Sequence, residues 1–466
     1  MSEVRGTGLS RREFLVAGAA AGILSGCRSP IADGIGCASK RWYKGALHCH
    51  TYWSDGRAFP EQAARWYRDH GYQFVALTDH NVFAENPSRW LKEKAWPEAD
   101  RFVDEYLRDF PGAEWRTAEG GEREIRLKTF AELSRTLNDP GRFLLLPGCE
   151  MTHWCTQQEA DMTVRLQLHM NVVGRAATPA HLRRPDFNFD DNKTWGRENT
   201  SVADYIAELS RSAPADAYFA LNHPVWGWYD VQPEDLIANP AVRFFEVCNN
   251  GSSTPPPRGV PADGFDTDRF WDIVNAFRAR RGEPLLLGTG TDDAHYYFGK
   301  PGQKSCLAGD AWTSVRADEL SQKAILAALA SGDFIACEGV SFSDVRFDPA
   351  TKALHVAVGA IPDRRLTVEF IVSKRDFSEK PVKVLKVHPE NAPKTRRTIN
   401  LYDKRIGCVA SKVVSRVGEP IRASYVLQPD DLYVRARLTV AGMPICGDYL
   451  HPQGCLVSWT QPYAFG

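Results

Sequence analysis

The sequence lacks the charge excess, the clustered cysteines and the long apolar runs that mark several common classes of protein. Its formal net charge of −1 over 466 residues gives no electrostatic reason to expect binding to nucleic acid or to an anionic membrane surface. Its eleven cysteines are scattered without Cys-x-x-Cys spacing, and no disulfide pairing can be deduced from them. No internal repeat or low-complexity tract is present. What remains, 43% hydrophobic and 25% charged residues, predicts a globular protein long enough for more than one domain.

The first 27 residues have the features of an export signal. The pair Arg11-Arg12 precedes an apolar stretch at 16–24, which is too short to cross a bilayer as a permanent helix. Twin arginines in this position predict a Tat signal, and the run Leu-Ser-Gly-Cys27 resembles a bacterial lipobox. We therefore expect export by the Tat route and membrane attachment through a lipidated Cys27, as a periplasmic or cell-surface lipoprotein. Cleavage without lipidation is the alternative. Residues 28–43 are interpreted as a tether.

From residue 44 onward, short apolar runs alternate with stretches of helical periodicity. This alternation predicts parallel βαβ units, and polar residues at most strand ends indicate a closed barrel with its chemistry at the carboxyl face. The segment 81–142 is too long for one connection and is interpreted as an insertion over the barrel mouth. The predicted strands are 45–50, 74–79, 143–148, 168–173, 218–222, 243–247 and 285–290, and the predicted helices are 60–69, 129–137, 202–210 and 266–279.

Near residue 339 the pattern changes from helical to period two. The runs 354–358, 366–372, 382–387 and 432–440 alternate apolar and polar side chains and are separated by turn residues. Such alternation predicts an all-β, sandwich-like accessory domain at 339–466. The expected fold is therefore α/β, with a hydrolase barrel at 44–338 followed by a β domain.

Histidines and carboxylates lie at or near the ends of the predicted strands in the pattern of metal ligands. His48 and His50 are two residues apart, so both imidazoles point to one side of a strand, whereas Cys49 points away and is interpreted as a core residue. Six of the twelve histidines belong to this set, which argues against unrelated core histidines. The candidate ligands are His48, His50, Asp55, His80, Glu150, His169, His223, Asp293 and His295.

A ligand set of this size and chemistry suits two or three divalent ions, such as Mn, Zn or Fe. Metal ions a few ångströms apart can hold a bridging water, lower its pKa and clamp an anionic ester. The reaction indicated by these residues is hydrolysis by a metal-activated water, with no covalent enzyme intermediate required.

Together the motifs resemble those of the PHP family, named for polymerase and histidinol phosphatase. The resemblance covers roughly residues 44–335 and implies a distorted (β/α)7 barrel with a trinuclear metal site. The matching stretches are Leu-His48-Cys-His50 with Asp55-Gly, Leu-Thr-Asp79-His80-Asn, Pro-Gly-Cys-Glu150, His169, Asn-His223-Pro and Asp293-Ala-His295.

The resemblance also implies how the ligands divide among three ions. The first ion would be held by His48, His50, Glu150 and Asp293. Glu150 would bridge to a second ion held by His169 and His223, and the third would lie on Asp55, His80 and His295. Glu150, Asp55 and His295 are the expected catalytic residues. Asp293 is preferred to Asp292 because of the Asp-x-His spacing, which leaves Asp292 as a residue behind the ligands.

Several residues near the motifs have open roles. Asp79 either orients His80 or makes a structural hydrogen bond at the turn. Asn222 would face the other way from His223 on the same strand, which makes it a rival for the ligand position. The aromatic residues Trp226, Trp228 and Tyr229 form either a rim for the substrate or a packing surface under the β domain. Candidates for a general acid are His153 and His181, and candidate phosphate partners are Lys300 and Arg165.

The expected function is a metal-dependent phosphoesterase that cleaves phosphomonoesters or phosphodiesters of a small molecule. Two alternatives stay open: an amidohydrolase-type C–N or C–O hydrolase, and a non-enzymatic cell-surface binding lipoprotein. The complete ligand set weighs against the second alternative. No nucleic-acid partner and no protein partner are predicted.

Overall fold

The computed structural model describes residues 40–94, 99–159, 162–174, 195–213, 216–225, 230–249, 266–298, 306–386, 398–441 and 455–464. The expected signal segment with Cys27, the candidates His181 and Lys300, and the aromatic residues at 226–229 lie outside these ranges. None of the helices within the described ranges is long and apolar enough to cross a membrane.

The helices begin and end where the local sequence supplies caps. Thr129 accepts a hydrogen bond from the Glu132 amide, Ser201 does so from the Asp204 amide, and Asp266 from the Arg269 amide. The helix after Asp266 ends at Gly282, whose φ of 68° suits glycine. The described helices are α1 Pro60–Asp69, α2 Ala99–Asp109, α3 Phe130–Leu137, α4 Val202–Ser212, α5 Pro233–Ile237, α6 Thr267–Arg281 and α7 Gln322–Ser331. The predictions of helices at 60–69, 129–137, 202–210 and 266–279 are thus confirmed to within about two residues.

The strands of the first part of the chain are β1 Arg41–Ala46, β2 Phe74–Leu77, β3 Trp90–Lys92, β4 Trp115–Thr117, β5 Arg123–Arg126, β6 Leu144–Glu159, β7 Met162–Val173, β8 Trp195–Arg197, β9 Tyr218–Leu221, β10 Phe244–Asn249, β11 Leu287–Thr291, β12 Ala311–Ala317 and β13 Phe334–Glu338. The later strands are β14 Asp344–Asp348, β15 Ala353–Val358, β16 Leu366–Lys374, β17 Lys383–Lys386, β18 Thr398–Leu401, β19 Cys408–Val414, β20 Ile421–Val426, β21 Asp431–Ala441, β22 Cys455–Thr460 and β23 Tyr463–Ala464.

The main sheet combines parallel and antiparallel neighbours in the order β11-β10-β9-β7-β6-β2-β1-β12-β13. Strands β1, β2 and β6 are parallel, as are β9, β10 and β11. The expectation of parallel units throughout was wrong at β7, which is antiparallel to both β6 and β9. The reason is the short connection after Glu159, because a parallel crossover needs a dozen or more residues and an antiparallel hairpin needs very few.

No backbone ladder joins β11 to β12 among the described residues, so a closed barrel is not shown. Strand β11 nevertheless lies against its neighbours. Thr313 Oγ1 donates to the Gly290 carbonyl (2.9 Å) and accepts from the Gly290 amide (3.2 Å). A Cβ atom at Gly290 would lie 2.7 Å from the Trp312 carbonyl oxygen and 2.9 Å from the Cys337 nitrogen. Only glycine therefore permits this approach.

The later strands extend the main sheet and add a second layer. Strand β13 pairs with β22, which pairs in turn with β21, and the ladder continues through β16 to β19. A smaller sheet, β14-β15-β20, shares one buried apolar cluster with it, in which Val356 of β15 joins Val368 of β16 and Leu438 of β21. The predicted period-two strands lie at β15, β16, β17 and β21. The division into domains at residue 339 stays a prediction.

The segment 81–142 contains α2, α3 and the small antiparallel sheet β3-β5-β4. Val103 of α2 and Ile125 of β5 share a buried cluster with Tyr52, Trp53 and Phe59. These three aromatic residues flank the candidate ligand Asp55. The insertion therefore packs against the loop that carries this ligand.

Candidate metal centre

His48 and His50, the first two candidate ligands along the chain, lie just beyond the end of β1. Both are fully buried, and their Nε2 atoms are 3.1 Å apart. Cys49 points away from them, with its Sγ donating to the Ala76 carbonyl at 3.2 Å, so the interpretation of Cys49 as a core residue is confirmed. Alternation along an extended backbone thus brings His48 and His50 to one side.

The loop from His50 to Asp55 is fixed by Asp79. One carboxylate oxygen of Asp79 accepts from the Thr51 amide (2.7 Å) and from the Ser54 amide and hydroxyl (3.0 and 2.7 Å). The other oxygen accepts from the Thr51 hydroxyl at 2.8 Å. Of the two roles left open for Asp79, these contacts support the structural one. This carboxylate sets the turn that returns Asp55 to the strand end.

Glu150, on β6, lies at the centre of the cluster with five imidazoles around it. Its Oε2 is 3.3 Å from the Nε2 atoms of His48 and His50 and 2.9 Å from His80 Nδ1. Its Oε1 is 3.0 Å from His169 Nδ1 and 3.4 Å from His223 Nε2. A carboxylate with both oxygens facing separate histidine groups has the arrangement of a bridging ligand.

Two further carboxylates flank this centre. Asp293 Oδ1 is 3.3 Å from His48 Nε2 and 3.1 Å from His50 Nε2. Asp55 Oδ2 is 3.3 Å from His295 Nε2, and its Oδ1 is 3.6 Å from His80 Nε2. The structure thus brings all nine candidate ligands into one cluster.

Three overlapping groups within the cluster have ligand atoms that all lie within 4.8 Å of one another. They are His50 with Asp55, His80 and His295; His48 with His50 and Asp293; and His80 with Glu150 and His169. His223 belongs to none of the three; its Nε2 lies 3.4 Å from Glu150 Oε1 and 4.0 Å from Asp293 Oδ2. Because the groups share His50 and His80, ions held by them would lie close to one another.

The spacing and the unused acceptors of the cluster fit divalent cations. Two ligand atoms bound at about 2.1 Å to one ion are roughly 3.0–3.4 Å apart, which is close to the separations between Asp293 or Glu150 and the imidazoles. Glu150 Oε2 and Asp293 Oδ1 are buried and form no hydrogen bond with the described residues, although imidazole nitrogens lie within 3.3 Å of each. An ion between these atoms would satisfy both.

The pKa values in the cluster depend on the charges of neighbouring members, which oppose the effect of burial. Burial alone would raise the pKa of Glu150, but His48, His80 and His169 hold it well below its ordinary value. The pKa of Asp55 is likewise lowered, despite burial, by His80 and His295. Burial lowers the pKa of His80, yet Asp55 and Glu150 raise it to about 10. The ionised carboxylates therefore require positive charge, from imidazolium protons or from metal ions.

Sequence reasoning missed Glu246, a fully buried carboxylate on β10. Its Oε1 lies 2.7 Å from His48 Nδ1 and accepts from the Thr291 hydroxyl at 2.8 Å. Its Oε2 accepts from the His223 amide (2.9 Å) and from Asn249 Nδ2 (2.7 Å). Glu246 thus orients His48 so that Nε2 faces Glu150 and Asp293. The signal in the sequence was a lone acidic residue inside the apolar run 243–247.

The expectation that Asn222 and His223 face opposite ways was wrong. Its Nδ2 donates to Glu150 Oε1 at 2.8 Å. Strand β9 ends at Leu221, and His223 has a φ of 25°, so the alternation of a strand no longer applies here. Both Asn222 and His223 consequently face Glu150.

Asp292 and His153 lie outside the cluster. Asp292 accepts hydrogen bonds from the Gly309 and Ala311 amides at 2.8 and 2.7 Å, so it anchors the loop before β12. His153 lies on the opposite face of β6 from Glu150, and its Nδ1 contacts the Tyr205 hydroxyl. Neither residue reaches the candidate ligands through these contacts.

No protein-family model matches the chain, and no curated protein matches it. Several solved structures are similar to it, including the following two. One is a two-domain protein from Bacteroides vulgatus containing a predicted PHP-like metal-dependent phosphoesterase, with 14% identity, a TM-score of 0.35 and coverage of 94% of this chain and 99% of that one. The other is a candidate metal-dependent phosphoesterase from Bifidobacterium adolescentis, with 18% identity, a TM-score of 0.29 and coverage of 55% and 89%. Likenesses this distant leave function to be argued from the site itself.

Proposed function

We propose that this protein is a metal-dependent phosphoesterase of the PHP type that hydrolyses phosphomonoesters or phosphodiesters of small molecules. The observation that carries the proposal is the convergence of five imidazoles on the buried carboxylate of Glu150, with Asp55 and Asp293 on either side. A set of imidazole and carboxylate donors of this kind is the usual protein environment of Mn, Zn or Fe.

The proposed division of ligands is the one that the resemblance to the PHP family implies. His48, His50, Glu150 and Asp293 would hold one ion; Glu150, His169 and His223 a second; and Asp55, His80 and His295 a third. When bound, such ions lower the pKa of an attacking water and neutralise the charge of the phosphate.

Residues that contact the ligands hold this site in place, and one side of the site is open to solvent. Glu246 orients His48, Asp79 shapes the loop to Asp55, and Asn222 donates to Glu150 Oε1. The side chains of Asp55 and His295 are 20% and 18% exposed, whereas that of Glu150 is 1% exposed. A substrate would therefore enter on the side of Asp55 and His295, with Glu150 behind it.

In the proposed reaction, the oxygen of water forms a new bond to phosphorus and the bond to the ester oxygen breaks. The ester oxygen leaves with a proton as an alcohol. Glu150, Asp55 and His295 are the proposed catalytic residues, because they border the positions at which these atoms would meet.

The proposal is tested with soluble protein from Arg28 onward, supplied in turn with Mn, Zn and Fe. Hydrolysis of p-nitrophenyl phosphate is compared with that of bis-p-nitrophenyl phosphate, each with and without chelator. Metal-dependent turnover of either ester is the expected result, and the ratio separates a monoesterase from a diesterase. No turnover of either, with metal bound, would contradict the proposal and favour amidohydrolase-type chemistry.

The substitution Glu150→Gln tests the bridging role directly. It keeps the shape of the side chain but removes the negative charge that two groups of imidazoles share. We expect loss of most bound metal and at least about a 100-fold loss of turnover, since loss of a ligand should exceed the effect of losing a residue behind one. Metal content by mass spectrometry and circular dichroism of the same sample separate this loss from unfolding. Full activity in the variant would contradict the multinuclear site.

We further propose that residues 1–27 direct Tat export with lipidation of Cys27, and that 339–466 is an accessory β domain. Cys27→Ala should move the protein from the membrane fraction to the soluble periplasmic fraction, because it removes the acylated thiol. Immunoblots of fractionated cells measure this shift. Unchanged membrane association would show that another feature anchors the protein.

A further inference from the structure

The hairpin formed by β6 and β7 extends beyond the metal cluster. The face of the hairpin that carries Glu150 continues along this extension. Opposed residues of an antiparallel pair lie on one face, and alternate residues along each strand do so too. Four successive pairs therefore share a face: Glu150 with Asn171, Thr152 with His169, Trp154 with Gln167, and Thr156 with Arg165. The register is continuous along the whole hairpin.

The other face of this hairpin is closed. Cys155, Leu166, Leu168 and Met170 are all fully buried in the core that includes α4. On the face that carries Glu150, in contrast, Arg165 and Gln167 are exposed and Trp154 is partly exposed. A surface open to solvent thus runs directly outward from the candidate metal centre.

Arg165 lies over the indole of Trp154, with its guanidinium carbon 4.5 Å from the ring centroid. No described carboxylate forms an ion pair with Arg165, and no hydrogen bond from its side chain to a described residue is present. Stacking on an aromatic face restricts the orientation of a guanidinium while leaving the N–H groups at its edge available. The arrangement provides a positioned fork of donors for an anion.

A small pocket lies beside this surface, between the metal centre and the hairpin. Its lining includes His169, Asn222 and His223 at the cluster and Gln167 on the hairpin. The acidic residue in the lining, Asp230, is engaged by the Gln167 amide, which donates to its Oδ2 at 2.8 Å. The pocket thus lies between the histidines of the cluster and Gln167, which is opposed to Trp154 across the hairpin.

The length of the hairpin sets the size of such a molecule. Trp154 is four residues from Glu150, which corresponds to about 13 Å along a strand, and Gln167 is two residues, or about 7 Å, from His169. Because the Arg165 guanidinium lies over Trp154, these spacings imply a distance of roughly 10 Å between it and the centre of the cluster.

Building on the proposed function, we propose that Arg165, stacked on Trp154, binds a second anionic group of the substrate. The enzyme would then prefer phosphate esters that carry a further phosphate or carboxylate about 10 Å from the phosphorus that is attacked. Trp154 holds the guanidinium, and Arg165 determines specificity without taking part in the bond changes.

The test compares two esters that differ only in the distal anion, hexyl phosphate and 1,6-hexanediol bisphosphate, by release of inorganic phosphate. Wild-type protein should show a kcat/KM roughly tenfold higher for the bisphosphate, as expected for one charge-assisted contact. This preference should fall as ionic strength rises. Arg165→Gln should abolish the preference by lowering kcat/KM for the bisphosphate to the level of hexyl phosphate. Arg165→Lys should restore part of it, because the charge is kept but the fork is lost.

The matched control is Arg142→Gln, which makes the same change at an exposed arginine just before the opposite end of β6. It should keep the wild-type preference. Equal wild-type rates with the two esters, or an equal loss with both in Arg165→Gln, would overturn this inference and leave the phosphoesterase proposal standing. Hydrolysis of neither ester, nor of the nitrophenyl esters, would overturn both.

Discussion

Glu246 touches no substrate in the proposed reaction, yet it holds His48, Thr291, Asn249 and the amide of His223 at once. We expect Glu246→Gln to weaken metal binding by about 10- to 100-fold, because the carboxamide cannot replace a carboxylate as partner of both His48 and three donors. Calorimetric titration of the metal-free protein with zinc measures this change in metal affinity.

Glu338→Gln is the matched control for this effect. Glu338 is also buried, at 5% exposure, but it lies on β13 and contacts Cys248 rather than a candidate ligand. Its substitution should leave metal affinity unchanged. If both variants lost affinity equally, the effect would reflect general weakening of the fold, and the orienting role of Glu246 would be wrong.

Glu338 also has an expected effect of its own on stability. Burial raises its pKa from 4.5 to about 7, so the folded protein binds more protons than the unfolded chain between these values. The free energy of unfolding should therefore fall as pH rises from 4.5 to 7. Glu338→Gln should remove this dependence and stabilise the protein at pH 8 by roughly 1–3 kcal/mol, with a smaller gain at pH 5.

Urea unfolding at the two pH values measures the difference. The exposed Glu119 provides the comparison, since Glu119→Gln should keep the wild-type pH profile. A gain of equal size at both pH values would show that the charge of Glu338 is not its cause.

For individual residues, the direction of a side chain was predicted well wherever extended backbone determined it. His48 and His50 converge because they alternate along extended backbone. Asn222 departed from expectation because the positive φ of His223 is a property of the folded turn and has no marker in the sequence. Glu246 was overlooked because burial of a lone carboxylate in an apolar strand becomes meaningful only when its partners, distant in sequence, are known.

Among the structural elements, β11 lies close against β12 and β13, and it leads directly to Asp293. Gly290→Ala would place a Cβ against the Trp312 carbonyl and the Cys337 nitrogen, neither of which can move without shifting a strand. We expect a loss of about 2–4 kcal/mol in unfolding free energy and weaker metal binding, because the displaced strand carries Asp293 with it.

Thermal unfolding and metal titration of the same variant test this expectation. Gly112→Ala serves as its control, because a Cβ at Gly112 meets nothing within 4 Å. That change should stay within about 0.5 kcal/mol of wild type. A Gly290→Ala protein with wild-type stability would show that β11 can withdraw from β12 without cost.

Four of the seven described helices and about half of the described strands were predicted, because caps and apolar periodicity are local signals. The direction of β7 was not recognised, because the predicted strands 143–148 and 168–173 left room for a crossover at 149–167, whereas the strands themselves extend to Glu159 and from Met162. The pairing of β13 with β22 had no signal in the sequence, since period-two alternation gives the faces of a strand and not its neighbours.

Over the whole molecule, a buried ion network joins α6 to β21. Asp272 accepts from Arg435 Nε and Nη2 at 2.9 and 2.7 Å and from the Tyr433 hydroxyl at 2.7 Å. Asp268 lies 2.8 Å from the same guanidinium. Asp272→Asn should lower the unfolding free energy by about 3 kcal/mol, because Arg435 would remain buried with incomplete compensation.

Chemical denaturation measures this loss in unfolding free energy. Asp376→Asn is the control, because it makes the same change in an ion pair at the surface. Asp376 pairs with Arg405 at 2.6 Å, but both side chains are more than half exposed, at 63% and 53%. Loss of that pair should cost less than about 1 kcal/mol. Equal losses in the two variants would mean that burial does not strengthen the network around Asp272.

The position of β22 has a consequence for the timing of folding. This strand lies between β13 and β21, and the residues that follow it reach further into the protein: Gln461 exchanges two hydrogen bonds of 2.9 Å with Gly288 of β11. Because translation proceeds from the N-terminus, both partners of β22 leave the ribosome before it does. Until residues 455–461 emerge, two strand edges stay unpaired and β11 lacks one of its supports. An export signal at residues 1–27 would therefore be displayed long before the sheet is finished, and a route that accepts only folded proteins would have to wait for the last strand.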